Sequence, residues 1–205
     1  MYRIKDFVVA GIFLGMIVPA PLSQVRAGEL GEAFERLSQW ELGDDADDLV
    51  FVTEEVVRAA KDPSLQRTIE ERLIAVLESG ATTDAKRFAC RQLFVIGTEA
   101  SVGALSALLV DPELSHMARY ALEIMPEGPA DEALREALGE LDGPLAAGVI
   151  DSIGKRGDTE AVELLISLGA GTDADIVRAV FGALGQIPSD RAVRGIADLR
   201  SSLFS

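Results

Sequence analysis

The sequence predicts an all-α protein built from stacked helix pairs, and three observations support this prediction. First, alanines mark a repeat that extends from residue 82 to the end of the chain, with intervals of 29, 28 and 31 residues: Ala104, Ala133, Ala161 and Ala192. Second, apolar residues recur at fixed offsets from these alanines with the i, i+4, i+8 spacing of an amphipathic helix. Third, no window of the chain sustains the alternation of a β-strand. Such a period is typical of an array in which each unit buries its apolar face against its neighbours.

Each unit is predicted to contain a longer first helix, a tight turn, a shorter second helix and a loop. In the first unit the apolar stripe places the first helix at about residues 84–96, where Phe88, Leu93 and Ile96 share one face. The second helix of that unit is marked by Leu105 and its neighbours. The same pattern divides the repeat region into four units: 82–112, 113–143, 144–173 and 174–205.

A turn residue stands seven positions before each repeated alanine: Gly97, Pro126, Gly154 and Gly185. We expect it to end the first helix, either through a left-handed cap or as a proline stop. Short polar side chains near the predicted helix starts are candidate caps: Thr98, Thr159, Ser189, Ser115 and Asp173.

The segments before the repeat region are also predicted to be helical. Residues 48–81 carry two apolar stripes separated by a break at 62–64, which indicates a fifth, diverged unit. Residues 28–47 are predicted to form a capping helix, with its apolar stripe between Leu30 and Leu42, because the first unit of a stack needs its exposed face covered. At the other end, Leu199, Leu203 and Phe204 extend the last pattern almost to Ser205. Either these residues close the stack or a partner chain does, so self-association at the C-terminal end is an open alternative.

The first 27 residues have the pattern of a secretory signal. Arg3 and Lys5 are followed by an apolar run over 7–20 and by a Val25-Arg26-Ala27 site of the A-x-A type. We expect cleavage after Ala27 and export to the periplasm or the extracellular space. The alternative is an uncleaved anchor, but the run is shorter than the ~20 residues that a spanning helix needs. Stable membrane insertion after cleavage is not expected.

Charge and cysteine content exclude several classes of function. The formal net charge is −15, and loss of residues 1–27 would make it −17. A surface this acidic repels phosphate backbones, so nucleic-acid binding is not expected. Cys90 and His116 are the only cysteine and the only histidine, which excludes an intramolecular disulfide and a zinc site built from several such ligands. No cofactor or metal ion is expected.

The repeat resembles the HEAT-repeat family, in its short bacterial variety that is also called HEAT-like or PBS-lyase-type. The residues that carry this resemblance lie at 96–126, 149–165 and 183–196. It implies a right-handed α-solenoid of about five helix-pair repeats that binds other proteins along its curved surface. A minority of the short-repeat relatives attach or detach bilin pigments.

An enzymatic alternative would use Cys90 and His116. They fall on the first helices of adjacent units, so a thiol–imidazole pair is conceivable, and such a dyad needs hydrogen-bond contact and a third orienting group. Packing of a small cysteine side chain is the competing interpretation. Export argues against a pigment lyase, because the targets of such lyases are intracellular.

Two further motifs favour structural explanations. Asp44, Asp45, Asp47 and Asp48 suggest a calcium loop, but Val50-Phe51-Val52 stands where an EF-hand has ligands. Acidic residues at a helix start explain the cluster through the helix dipole. The Gly-x-Gly at 169–171 lacks the preceding strand that dinucleotide binding requires, so a loop between units is expected.

Basic side chains are the remaining candidates for binding. Exposure is expected for Lys86, Arg87, Arg91, Arg119, Arg135, Lys155, Arg156, Arg178, Arg191 and Arg194. Among these, Arg91, Arg119 and Arg178 occupy equivalent or adjacent positions of their units and form a possible partner-binding row. Pairing with acidic residues of the neighbouring unit is the alternative. The sequence therefore predicts a non-catalytic, exported scaffold that binds a protein partner; the alternative is a pigment-lyase-like enzyme.

Overall fold

Eleven α-helices account for most of the part of the chain that the structure, a computed structural model, describes, which is residues 22–203. They are α1 (Leu22–Leu37), α2 (Asp47–Ala59), α3 (Pro63–Glu78), α4 (Thr83–Ile96), α5 (Val102–Ser106), α6 (Ser115–Leu122), α7 (Pro129–Ala137), α8 (Gly143–Arg156), α9 (Val162–Gly169), α10 (Ala174–Gln186) and α11 (Asp190–Leu203). Short 3₁₀ turns, Glu99–Ser101 and Thr159–Ala161, lead into α5 and α9. No strand occurs between residues 22 and 203. The predicted all-α class is confirmed.

Most of the predicted signal segment, and also Phe204 and Ser205, lies outside the described residues. Residues 22–27 form the start of α1. Each unit predicted from the sequence contains two helices, from α2 and α3 in 48–81 to α10 and α11 in 174–205.

Many of the helices pack against their second neighbour along the chain. Contacts join α2 to α4, α4 to α6, α6 to α8 and α8 to α10, and they also join α3 to α5, α5 to α7 and α9 to α11. Consecutive helices are in contact too, as in α2 with α3, α7 with α8 and α10 with α11. The even-numbered helices from α2 to α10 therefore form one continuous row.

The core consists largely of residues at the apolar positions that recur in each unit; we call each of these recurring positions a column. Leu93, Leu122 and Ile150 occupy the same column on α4, α6 and α8, and all three are fully buried. The last unit differs, because Val193 is 65% exposed while its counterparts Leu105, Leu134 and Val162 are buried. Within the described residues no later unit packs against this position.

The turn glycines follow the prediction only in part. Gly97 ends α4, but its backbone is extended, with φ −61° and ψ 144°, and not left-handed. Gly154 and Gly185 lie inside α8 and α10. The left-handed cap of α8 is instead Gly157, with φ 69°. A Cβ built on Gly154 would lie 2.6 Å from the Cα of Ala183, so this glycine allows close approach of α8 and α10.

The capping prediction is confirmed at three of its five positions. Thr98, Asp173 and Ser189 accept hydrogen bonds from the backbone N–H groups of Ala100, Asp175 and Arg191. At the α9 turn the cap is Asp158 and not Thr159, because the Asp158 carboxylate accepts from the N–H of Glu160. Ser115 is buried, and its hydroxyl has no hydrogen-bond partner.

The predicted capping helix ends earlier than expected, because α1 ends at Leu37 and residues 38–46 form a loop. Hydrogen bonds to the start of α4 hold this loop. The backbone N–H of Thr82 donates to the carbonyl of Ser38, and the Thr82 hydroxyl donates to the carbonyl of Trp40. The N–H of Leu42 donates to Asp84 over 3.0 Å. These contacts replace the last turn of helix and fix the loop against the first unit of the repeat region.

Candidate partner-binding surface

Two aromatic side chains from adjacent units stack on the surface of the even-numbered row. The rings of Phe94 on α4 and Tyr120 on α6 are nearly parallel, with centroids 4.3 Å apart and an interplanar angle of 6°. Phe94 is half-buried and Tyr120 is 43% exposed. The stack therefore joins two units and presents a flat apolar surface to solvent.

Aliphatic and basic side chains flank this stack. Val95 and Ile124 are 55% and 50% exposed. Arg91 lies one helical turn before Phe94 and Val95 on α4, which places it on the same side of the helix. We call this set of residues the α4–α6 face: Arg91, Phe94, Val95, Tyr120 and Ile124. Aromatic residues and arginine are enriched where proteins contact one another, so the composition is typical of an interface.

Arg91 is available for a partner. Its guanidinium carbon lies 5.9 Å from the centroid of the Phe88 ring, a cation–π distance. No carboxylate among the described residues lies within ion-pair distance of it. The neighbouring Arg87 is paired with Asp84 at 3.0 Å. Arg91 is therefore the unpaired charge at the edge of the aromatic stack.

Arg119 binds within the stack of helices instead. One of its Nη atoms donates to the carbonyl of Gly148 at 2.9 Å and to the hydroxyl of Ser152 at 3.1 Å. A Cβ built on Gly148 would lie 2.8 Å from the guanidinium carbon, so α8 needs a glycine there to accommodate Arg119. Burial lowers the pKa of this arginine below its ordinary value. Its main contacts fasten α6 to α8.

Arg178 has a third environment. Its side chain is 76% exposed and pairs with Asp175 on the same helix at 2.8 Å. Arg91, Arg119 and Arg178 thus differ in exposure and in bonding partners, and Arg91 alone of the three belongs to the α4–α6 face.

Cys90 and His116 have opposite environments. Cys90 is fully buried, and burial raises the pKa of its thiol to about 12, so the nucleophilic thiolate is strongly disfavoured at neutral pH. His116 is exposed, and its Nδ1 lies 3.5 Å from a guanidinium nitrogen of Arg119. No hydrogen bond joins the cysteine to the histidine in the described part of the chain.

The largest correction among the basic residues is Arg156, which the sequence predicts to be exposed. Its side chain is 4% exposed and forms an ion pair with Asp131 at 2.5 Å. It also donates to the carbonyls of Leu122 and Met125 at 2.6 Å and 2.9 Å. Because α8 supplies the arginine and the other groups belong to the preceding unit, this cluster fastens two units together.

A polar cavity of about 290 Å³ lies beside this cluster. Arg135 extends the cluster along the cavity wall and pairs with Asp158 at 2.6 Å and with Glu160 at 3.0 Å. The arginines that line the cavity already have carboxylate partners. A structural role, connecting the two units, therefore explains the network.

The acidic cluster near the start of α2 serves the local backbone. Asp44 accepts from the N–H of Glu41, Asp45 accepts from the N–H of Asp47, and Asp48 forms two hydrogen bonds of 2.8 Å with Arg36. The residues described by the structure contain no group of three or more His, Cys, Asp or Glu side chains placed to hold a metal ion.

The Gly-x-Gly segment lies where α9 ends. A Cβ on Gly169 would be 2.8 Å from side-chain atoms of Leu199 and Val180, so this glycine provides room for packing. The following Asp173 caps α10. Gly169 is the last residue of α9, and residues 170–173 form the loop between units that the sequence predicts.

No family model and no curated protein matches the chain. The resemblance to a repeat family therefore depends on the repeated residues themselves. Among residues 22–203, no helix has both the length and the apolar character needed to cross a membrane.

The sequence did not predict the aromatic stack. Phe94 and Tyr120 lie 26 positions apart and outside the buried columns. Their aromatic character is the one signal that could have identified them. Aromatic residues make up only 5% of the chain, and these two lie next to exposed positions of their helices.

Proposed function

We propose that this protein is a non-catalytic scaffold, a right-handed α-solenoid of about five HEAT-like repeats, that binds a protein partner along its even-numbered helices. The supporting fold observation is the pattern of contacts between second-neighbour helices, from α2 through α10. Such contacts are expected of an array in which each unit packs only on its neighbours, and they support the proposal.

The observation that carries the binding function is the exposed stack of Phe94 on Tyr120. Together with Val95 on α4 and Ile124 in the turn after α6 it brings four largely apolar side chains to this surface. Burial of such side chains is the main favourable contribution to protein association, and aromatic residues dominate interfaces energetically. A protein partner that covers the α4–α6 face would remove them from water.

Capture from the native source tests this function. Tagged wild-type protein, purified after mild crosslinking, should retain a partner that Tyr120→Ala loses. Val57→Ala is the matched control, because Val57 is 61% exposed on α2 and lies outside the face. Equal capture by wild type and Tyr120→Ala would contradict binding through the α4–α6 face.

We propose further that the mature protein begins after Ala27 and is exported. Cleavage there would remove Arg26, whose Nε lies 2.9 Å from the buried carboxylate of Glu55. Arg58 also contacts this carboxylate, at 2.8 Å, so Glu55 would keep a cationic partner. The N-terminal sequence of the protein from the native source is the test, and an intact Met1 would contradict the proposal.

A further inference from the structure

One ridge of α4 connects two chemically different surfaces. Asp84, Arg87, Arg91 and Phe94 follow one another at three or four residue intervals, so they lie along one side of the helix. Phe94 and its stacked partner Tyr120 lie at the C-terminal end of this ridge. Asp84 lies at the other end and accepts the hydrogen bond from the N–H of Leu42.

The loop at the N-terminal end presents an isolated apolar side chain among acids. Leu42 is 84% exposed, the highest exposure of any large apolar side chain in the described residues. Glu41 precedes it and is also exposed, and its carboxylate forms no hydrogen bond or ion pair with the described residues. Asp44 and Asp45 follow. We call residues 41–45 the acidic loop.

The acidic loop and the α4–α6 face are complementary in both charge and polarity. The face offers a flat aromatic stack beside the unpaired Arg91, and the loop offers an exposed leucine beside an unpaired glutamate. Along the α4 ridge Arg87 is already neutralised by Asp84 at 3.0 Å, so Arg91 is the cation of the ridge that Glu41 can face. Opposite charges that face each other guide association and fix its geometry.

We propose that two copies of this chain pair through their α4 ridges in antiparallel orientation. In this arrangement Leu42 of each copy packs on the Phe94–Tyr120 stack of the other, and Glu41 of each copy faces the other's Arg91. Each copy contributes both ends of its ridge, so the same contact forms twice. The interface is therefore self-complementary and closes as a two-fold dimer. The inference rests on the proposed function and names the partner of the α4–α6 face as a second copy.

Sedimentation equilibrium of the purified protein tests the pairing. Between about 1 and 300 µM the average mass should rise from that of a monomer to that of a dimer, in the range of weak protein association. Leu42→Ser and Tyr120→Ala should each weaken dimerisation by about tenfold or more. The matched control Val57→Ala should dimerise like the wild type.

A charge exchange tests the orientation. Arg91→Glu and Glu41→Lys should each impair dimerisation, because each brings like charges together at both symmetric contacts. An equimolar mixture of the two variants should dimerise again, since residue 91 of one and residue 41 of the other then carry opposite charges in both contacts. A variant that lost dimerisation through misfolding could not be rescued by mixing, and circular dichroism of each variant checks the fold.

A monomeric wild type over this concentration range would overturn the inference. So would a dimer that survives Leu42→Ser, Tyr120→Ala and Arg91→Glu together, or a mixture that does not recover. In these cases the capture experiment still decides the proposed function. A different protein that is captured by wild type and lost by Tyr120→Ala would support the binding face and reject the second copy as its partner.

Discussion

Gly154 on α8 and Ala183 on α10 are in such close contact that no side chain fits between them. A Cβ at residue 154 would lie 2.6 Å from the Cα and 2.9 Å from the Cβ of Ala183. The contact is between backbones, and backbone cannot turn aside as a long side chain does. The distance between two consecutive units is therefore set by a glycine.

Gly154→Ala should separate α8 from α10 and lower the free energy of unfolding by about 1–3 kcal/mol, the usual cost of overpacking. Gly182→Ala is the control, because a Cβ at this α10 position meets nothing within 4 Å. Without such a clash, replacement of glycine in a helix should stabilise the protein by roughly 0.5–1 kcal/mol. Urea denaturation of both variants measures the difference, and equal effects would show that the helices are not in backbone contact.

Leu122→Asp should disrupt the stack, because Leu122 is fully buried on α6 and the new carboxylate would have no partner. A loss of about 4 kcal/mol or more is expected, enough to unfold a domain of ordinary stability. Ile124→Asp, two positions along and half exposed, should keep the fold. Thermal melts followed by circular dichroism distinguish the two. If Leu122→Asp melted like the wild type, the assignment of the buried columns would be wrong.

Arg156→Met should destabilise the protein by roughly 3 kcal/mol, because it leaves the buried Asp131 carboxylate without its cation and the carbonyl of Met125 without its donor. Arg178→Met removes an exposed pair and should change stability by less than about 0.5 kcal/mol. Chemical denaturation gives both values. Similar values would indicate that the Arg156 cluster does not fasten the two units.

Low pH should weaken the connection that Arg156 and Asp131 form between the two units. Burial alone would raise the pKa of Asp131, but hydrogen bonds from Arg156 and from the N–H of Gly128 outweigh it and hold the pKa below its ordinary value. A carboxyl of this kind stabilises the fold above its unfolded pKa of about 3.9, and the contribution is lost as the pH falls through the lower folded value. Stability should therefore decrease below about pH 4. The decrease should be smaller in Arg156→Met, and identical acid profiles for the variant and the wild type would contradict this assignment.

Cys90 should resist thiol reagents in the native protein at neutral pH, because its side chain is inaccessible and burial raises its pKa to about 12. Reaction with iodoacetamide, followed by mass spectrometry, should be slow in buffer and complete in denaturant. Rapid labelling of the folded protein would show an accessible thiol and would revive the enzymatic hypothesis.

The helices could be predicted because their signal is local. Leu93, Leu122 and Ile150 recur in one column, and a column of this spacing buries one side of a helix whatever lies elsewhere in the chain. Helix ends were harder to predict where distant residues decide them. The loop after Leu37 depends on hydrogen bonds to Thr82, more than forty positions away.

The candidate binding residues were harder still to predict, because pairing between units leaves no local pattern. A basic side chain looks the same in sequence whether it is solvated, as Arg178 is, or buried against a carboxylate, as Arg156 is. The stacking of Phe94 on Tyr120 depends on how α4 and α6 align, which neither helix encodes alone. The repeat therefore predicts the helices, and the packing of one unit on the next determines which surface residues meet.

The most direct test of the proposed function is site-specific photocrosslinking in the native source. A benzophenone amino acid at position 120 should yield a crosslinked adduct of defined mass, because Tyr120 lies at the centre of the α4–α6 face. The same group at position 57 on α2, which is more exposed than position 120 (61% against 43%), should yield no such adduct. No adduct at position 120, or the same adducts at both positions, would contradict the claim that this face binds a protein partner.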